Sequence, residues 1–527
     1  MPVKSPHGML DIPEENLSDF FLSCIKEYGD DIAMIDNTIE DKQLTFRQLH
    51  NQIQSCGRFI QKQEINKGDV VGLIVPNCLE YVIAMMGVIS CGAVISPCNP
   101  SYKEEEMQHI FKITEPKILI VSDKTIDVIK RVVEQSKSIQ KIIVIGKSDE
   151  FETLDKGIAA NEKEQALVRN FEVSAKDDLA ILPYSSGTTG MPKCVMHTHY
   201  SMIATLLSSW NHLGFKRGET LYNERPMFHV GGYMFVLISL QGGLFGRVIM
   251  DRDFDVEKTL IAIQNYQVNH LMMVPPIMLE MSQTDLHKKY DTSSWRSALT
   301  GGASIPTLIM KNVKERFSIQ MLPGYGMTEF GPIAVNGNIQ SFVDAVGSIS
   351  VNVEMMIVDP NTGKEMKSGK NGEILVKGPQ MTKGYYRNRE ATEQTINKDG
   401  FLHTGDIGHI KNDMLYVVGR LKEVIKYKTF QVTPAEIENV LLRHPGVRDA
   451  GVVGIPDQLC GELPKALVVR KLPSVNSDEL LALIKRELVD YKQLRGGIQF
   501  VDKIPKSLLG KIDRIELKRM TTNQERV

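Results

Sequence analysis

Short apolar runs alternate with longer amphipathic stretches along the first third of the chain. Thr45 and Gln48 have the spacing of a capping box, so a helix is expected to begin there. The run VVGLIV then reads as a buried strand, residues 80–91 as a helix and AVISPC as a second strand. A helix over 103–113, strand KILIVSD, a helix over 125–136 and strand KIIVIG continue the alternation. Strands separated by helices of about ten residues or more pair in parallel through crossovers, which predicts an α/β sheet covered on both faces.

Past residue 340 the pattern changes to short strands with frequent turns, as in DPNTGKEMKSGKNGEILVKG and FLHTGDIGHIKNDMLYVVGR. This suggests an antiparallel β region closing the large domain. Toward the end it changes again. Strand KEVIKY, a helix opened by a Thr433-Pro434-Ala435-Glu436 capping box, strands AGVVGI and ALVVRK, a helix over 478–489 and strand GIQFV predict a small α+β domain. The boundary is expected near Gly419 to Lys422, dividing the chain into 1–420 and 421–527.

Composition narrows the class. With 527 residues, 42% of them hydrophobic, the chain can bury a large core and divide into at least two domains. Sixty-two basic against 64 acidic side chains leave a formal charge of -2, hence no global field to attract nucleic acid or an anionic membrane. The seven cysteines lack disulfide-framework or metal-ligand spacing and read as free thiols of a reducing compartment. The apolar stretch from Val70 to Cys98 is broken by Pro76, Asn77 and Glu80, too soon for a membrane span. Prolines and acids where a secretory signal needs an apolar core, and an ending in Gln-Glu-Arg-Val rather than Ser-Lys-Leu, make the cytoplasm the expected location. Nothing indicates an oligomeric state.

The strongest chemical signal is LAILPYSSGTTGMPK, an apolar strand running into Ser185, Ser186, Gly187, Thr188, Thr189, Gly190 and Lys193. A glycine-rich turn with four hydroxyls and a lysine can wrap a polyphosphate with backbone N–H groups, hydroxyls and one positive charge. Its glycine spacing is not that of a Walker A loop. As bare chemistry, a polar surface turn is the rival reading.

SSGTTGMPK resembles the phosphate-loop signature of the adenylate-forming superfamily, in its acyl-CoA synthetase, 4-coumarate–CoA ligase and luciferase-like branch. GYGMTE (324–329), GFLHTGDIG (400–408), GRLKEVIKYKTFQVTPAEIE (419–438) and PKSLLGKID (505–513) follow in that superfamily's order. The resemblance implies a large N-terminal domain of stacked α/β sheets plus a β region, with a small mobile C-terminal α+β domain. It implies an enzyme using ATP, Mg2+ and coenzyme A: a carboxylate cannot be attacked by a thiol directly, so it is first joined to the α-phosphorus of ATP, with pyrophosphate leaving.

Residue by residue, the resemblance puts the loop 185–190 and Lys193 on the phosphates, counts Gly302, Ala303, Gly324, Tyr325 and Gly326 among the nucleotide-binding positions, and stacks Tyr325 on the adenine. Thr328 would touch the α-phosphate and Glu329 would hold Mg2+. Asp406 would accept the ribose hydroxyls beside Arg420, and Lys422 would be the hinge. Lys511 would enter the site to neutralise charge during adenylation. Lys426 and Gln431 match nucleotide-side positions, and Lys428 and Thr429 match coenzyme A positions. Thr429 is a departure, because the family usually has glycine there to let the thiol arm pass close to the backbone.

His229 in PMFHVGG matches a histidine between the nucleotide and acyl pockets; the alternative is a histidine packed in the core. Gly231 stands where plant 4-coumarate ligases usually carry a large aromatic. With Gly301, Gly302, Ala303 and methionines 227, 234 and 327, the acyl site reads as roomy and apolar, favouring a fatty or aryl acid over a small polar one. Three readings stay open: a coenzyme A ligase, an adenylating enzyme whose second step is oxidation or carrier loading, and a non-catalytic acyl or nucleotide binder.

Overall fold

The computed structural model describes residues 2–163, 171–185, 192–208, 218–241, 245–302, 307–335, 345–428, 430–507 and 510–522. Two sheets with helices packed between them form the bulk of it. In the seven-stranded sheet Val70–Ile74 pairs in parallel with Val94–Pro97 and Ile118–Ser122, and the latter with Lys141–Ile145. The helices expected between these strands are present as Glu80–Ser90, Glu104–Thr114 and Ile126–Val133. Helix Phe46–Gln61 opens on Thr45, whose side chain accepts from Gln48 N while Gln48 returns a contact to Thr45 N, so that capping box is formed.

The second sheet has fourteen strands and two halves. In one, Glu219–Asn223, Phe245–Met250, His270–Met273, Ser297–Thr300 and Gln320–Met327 run parallel. In the other, Gly331–Val335, Gly347–Ile349, Met414–Arg420, Leu402–Lys411, Gly372–Lys377 and Glu354–Val358 pair antiparallel. Strand Gln320–Met327 joins them: Gln320–Pro323 pair in parallel with Ser297–Thr300, and Gly324–Met327 antiparallel with Gly331–Val335. The antiparallel region expected past residue 340 is therefore continuous with the α/β sheet. The main core takes Val71 and Leu73 from one sheet, Leu221 and Val248 from the other, and fully buried residues of the intervening helices such as Tyr81 and Tyr233.

A third, five-stranded sheet is built from Ile425–Tyr427, Phe430–Val432, Val447–Asp457, Gly461–Arg470 and Ile498–Phe500, with helices Pro434–Leu442 and Ser477–Glu487. Ile425, Val432, Ile437, Leu441, Val452, Val468 and Leu480 give it a core of its own. One expectation fails here. The helix does start at Pro434, but Thr433 makes no side-chain cap. Glu436 is instead drawn into an ion pair with Lys492, and Thr433 packs against the backbone at Gly419.

All seven cysteines are free and five of them are buried. Burial pushes the Cys56, Cys78, Cys98 and Cys194 thiols above their ordinary range, so these behave as core residues. Among the described residues no helix is long and apolar enough to cross a membrane.

Candidate active site

Parallel sheets offer ligand space where their strands end, because the chain must turn there and leaves backbone polar groups and loop side chains around a crevice. Strand Glu219–Asn223 leads at its carboxyl end to Arg225 and His229, Ser297–Thr300 to Gly301 and Gly302, and Gln320–Met327 carries Gly324, Tyr325, Gly326 and Met327. Thr300 lies opposite Pro323, so the last two segments are neighbours. In the other sheet, Tyr184–Ser185 and Lys193–Cys194 pair as two antiparallel legs. Ser186 to Gly190, between those legs, lie outside the described residues, as do Ala303 and Thr429.

Asp406 and Arg420 are fourteen positions apart in sequence but directly opposite in the antiparallel pair Leu402–Lys411 and Met414–Arg420. Arg420 Nε lies 3.1 Å from Asp406 Oδ1, and Tyr325 Oη donates to Asp406 Oδ2 at 2.7 Å. Burial raises the Asp406 carboxyl above its usual range, against the opposing pull of Arg420, the Tyr325 hydroxyl and Lys511. Each carboxylate oxygen keeps a second lone pair, so the pair can also accept two vicinal hydroxyls. Glu373, buried beneath, receives Gly405 N at 3.3 Å and lies 3.0 Å from His403 Nδ1, which holds the HTGD segment in place.

Thr328 and Glu329 follow Met327 and are buried. His197 Nε2 lies 2.7 Å from Thr328 O, and since a carbonyl only accepts, that nitrogen carries the proton. Tyr385 Oη donates to Glu329 Oε1 at 2.8 Å. The same ring carries Lys193 Nζ 4.9 Å from its centroid. Tyr385 thus ties the base of the glycine-rich segment to Glu329. His197, Glu373 and Tyr385 were not singled out from the sequence.

Lys511 reaches this cluster from the far end of the chain. Its ammonium is pushed below the ordinary lysine range by burial and by Arg420, against the attraction of Asp406, Glu329 and Glu423. The loop that presents it is closed by Ser507 N donating to Lys511 O at 2.8 Å and Gly510 N to Ser507 O at 2.8 Å. Gly510 has φ +75, and a Cβ there would lie 2.4 Å from Pro276 Cδ, so this residue is where the loop presses on the large sheet's layer.

His229 is half-buried, and its Nδ1 accepts from Gly231 N at 3.1 Å. Burial, then Arg225 and Lys511, hold its pKa down to about 3, so the ring is neutral at physiological pH and Nε2 is its free donor. Met227 and Met234 are core residues, whereas Met327 is only partly buried. Lys426 and Lys428 stand exposed on the hairpin 425–432, outside the Asp406–Lys511 cluster, and Gln431 is placed by its backbone pairing with Lys426. Lys422 is exposed in the short turn Leu421–Glu423.

Residues 21–386 match the AMP-binding enzyme family, and residues 436–511 match the AMP-binding enzyme C-terminal domain. The probable 4-coumarate–CoA ligase 1 of Dictyostelium discoideum is 34% identical over 533 residues, covering 96% of this chain and 95% of that protein. The chain belongs to the AMP-binding family of adenylate-forming acid–CoA ligases. ATP and coenzyme A are the co-substrates of that family. Superposed on ATP-bound MatB from Rhodopseudomonas palustris, the chain gives a TM-score of 0.88 at 25% identity, with 97% of this chain and 100% of that one covered. Apo MatB from the same organism, with the same identity and coverage, gives 0.79. In this ligase the approach of Lys511 to Asp406 and Glu329 accompanies the closer likeness to the nucleotide-bound form.

Proposed function

We propose that this ligase activates a carboxylic acid with an apolar body, aryl or aliphatic, as its acyl-AMP and passes the acyl group to coenzyme A. The convergence of Lys511 with Asp406, Arg420, Glu329 and His229, drawn from four separate segments, is the observation that carries this reading. In the first step a carboxylate oxygen attacks the α-phosphorus, the bond to the β-phosphate oxygen breaks and pyrophosphate leaves. Lys511 neutralises charge on the two approaching anions, Asp406 and Arg420 fix the ribose, and Tyr325 supports the adenine. Neutral His229 donates through Nε2 between the nucleotide and acyl spaces. In the second step the thiol sulfur attacks the acyl carbon, the bond to the phosphate oxygen breaks and AMP leaves.

Among the described residues no three His, Cys, Asp or Glu side chains gather to hold a metal by themselves. Buried Glu329, with one oxygen taken by Tyr385, fits a different donor set, in which one carboxylate joins phosphate oxygens and water around Mg2+. The ion would supply charge neutralisation on the phosphates.

The chain divides in this reading into 1–420 and 421–527, with Lys422 as the hinge that lets the small domain exchange Lys511 for the thiol-side residues Lys428 and Thr429. Lys426 and Gln431 serve on the nucleotide side. Thr429, at a glycine position of the family, favours a second reading, in which the acyl-AMP goes to an acceptor other than coenzyme A. A panel of acids with ATP and Mg2+, scored for pyrophosphate with and without coenzyme A, separates the two. Consumption of free thiol in step with pyrophosphate is expected; pyrophosphate without thiol consumption selects the second reading, and no pyrophosphate with any acid refutes both.

A further inference from the structure

Arg225 is a charged side chain in the acyl region that the adenylation chemistry does not use. It is 5% exposed, and among the described residues its guanidinium makes no hydrogen bond or ion pair. A guanidinium cannot shed its charge, and burying it without a hydrogen-bond or ion-pair partner leaves a desolvation penalty that the attraction of Glu224 opposes but does not cancel. Its neighbour Glu224 attracts it without bonding to it: both Glu224 oxygens are buried without a hydrogen-bond partner, and burial pushes that carboxyl up to about 7 against the pull of Arg225.

Arg225 is also held in place. Its carbonyl accepts from Asn77 Nδ2 at 2.8 Å and Asn223 Nδ2 at 3.2 Å, and Asn77 Oδ1 accepts from Met227 N at 2.8 Å. Two glycines keep its head uncovered. A Cβ on Gly231 would lie 3.4 Å from Arg225 Nη1 and 3.4 Å from His229 Nδ1, and a Cβ on Gly302 would lie 3.5 Å from Nη2. The two ends of the planar fork therefore face the wall that Gly231, Gly302 and His229 make beside the reacting centre.

We infer that Arg225 is a specificity-determining residue that binds a second anionic group, a carboxylate in the first instance, at the end of the acid remote from the carboxylate being activated. The inference rests on the acyl-activating function proposed above and adds one charged group to the apolar site expected from the sequence. A guanidinium fixed in place with its head uncovered matches a carboxylate with two parallel N–H···O contacts. An acid that ends in a methyl ester leaves the same guanidinium buried and unpaired, and a site built for a polar partner rejects the analogue that lacks it.

The test compares kcat/KM for pyrophosphate release with succinic, glutaric and adipic acids and 4-carboxycinnamic acid, each against its mono-methyl ester, in the wild type, Arg225→Met and Arg225→Lys. The wild type should prefer the free diacid on its best skeleton, Arg225→Met should shift that ratio toward the ester by about a hundredfold, and Arg225→Lys should fall between. Preference of the wild type for the esters, or an unchanged ratio in Arg225→Met, overturns the inference. So does an equal loss on both members of each pair, which would put the guanidinium on the reacting carboxylate or the nucleotide. Calorimetric binding of the same pairs without ATP separates this from the adenylation reading. Tighter binding of a diacid that disappears in Arg225→Met keeps the anion site even if no acid is adenylated, and its absence removes the site.

Discussion

Replacing Gly510 by alanine should slow adenylation selectively, because the cost of the added methyl group depends on where the small domain sits. The new Cβ would approach Pro276 Cδ to 2.4 Å and Cγ to 2.7 Å. Real Cβ atoms do not reach that distance, so either the Lys511 loop or the 275–276 turn must shift. Overpacking of this kind costs about 1–3 kcal/mol, which depletes the pose in which Lys511 enters the site by about 5- to 150-fold. A separate cost of about 1–2 kcal/mol, for a residue with a side chain at φ +75, is present in every pose and cancels between them. Gly497 supplies the control: it has φ +79 and nothing within 4 Å, so its alanine variant carries only the second cost. Pyrophosphate release without coenzyme A should fall in Gly510→Ala, with much smaller loss in the conversion of supplied acyl-AMP to acyl-CoA. Gly497→Ala should lose melting temperature but retain the ratio of the two half-reactions. Equal loss of both half-reactions in Gly510→Ala, or the same selective loss in Gly497→Ala, would refute the reasoning.

Lys511→Ala should depress acyl-AMP formation by orders of magnitude and spare thiolation of supplied acyl-AMP, measured by single-turnover quench; equal loss in both steps would remove its assigned role. Glu224 has its pKa raised by burial to about 7 in the folded state, so folding stability falls as pH rises from about 4.5 to 7 and the carboxyl is forced to ionise. Glu224→Gln should therefore gain up to about 3 kcal/mol at pH 8 relative to pH 4.5 in denaturant titrations, and a gain that is the same at both pH values would contradict the shift. Gly231→Tyr should narrow the accepted acids, since the ring must grow from a Cβ position 3.4 Å from both Arg225 and His229, and an unchanged acid profile would place Gly231 outside the pocket. Thr429→Gly should raise the rate of acyl-CoA formation from acyl-AMP. A β-branched side chain at a position where glycine is expected adds volume and narrows backbone freedom, and a slower thiolation would show that the threonine helps instead.

Local periodicity made most strands and helices readable before their pairings were known. The Thr45–Gln48 capping box formed, whereas Glu436 is ion-paired with Lys492 and Thr433 makes no side-chain cap. The path of Gln320–Met327 from a parallel to an antiparallel neighbour was not readable, because it depends on which strands lie on either side. The same divide runs through the site. Asp406, Arg420, Glu329 and Lys511 sit in motifs whose roles were legible through the resemblance to the adenylate-forming superfamily. Tyr385 lies far in sequence from Glu329 and Lys193 and is brought to them by the fold. Arg225 was not singled out from the sequence; its burial without a hydrogen-bond or ion-pair partner distinguishes it.

The central claim is that the carboxylate oxygen attacks the α-phosphorus of ATP. Turnover of an accepted acid labelled with 18O in both carboxylate oxygens, in the presence of ATP, Mg2+ and coenzyme A, tests it by mass spectrometry of the nucleotide product. The account predicts AMP carrying one 18O, because the bridging oxygen of the acyl-AMP leaves with the phosphate when the thiol attacks carbon. Unlabelled AMP, or label found in inorganic phosphate beside ADP, would contradict it.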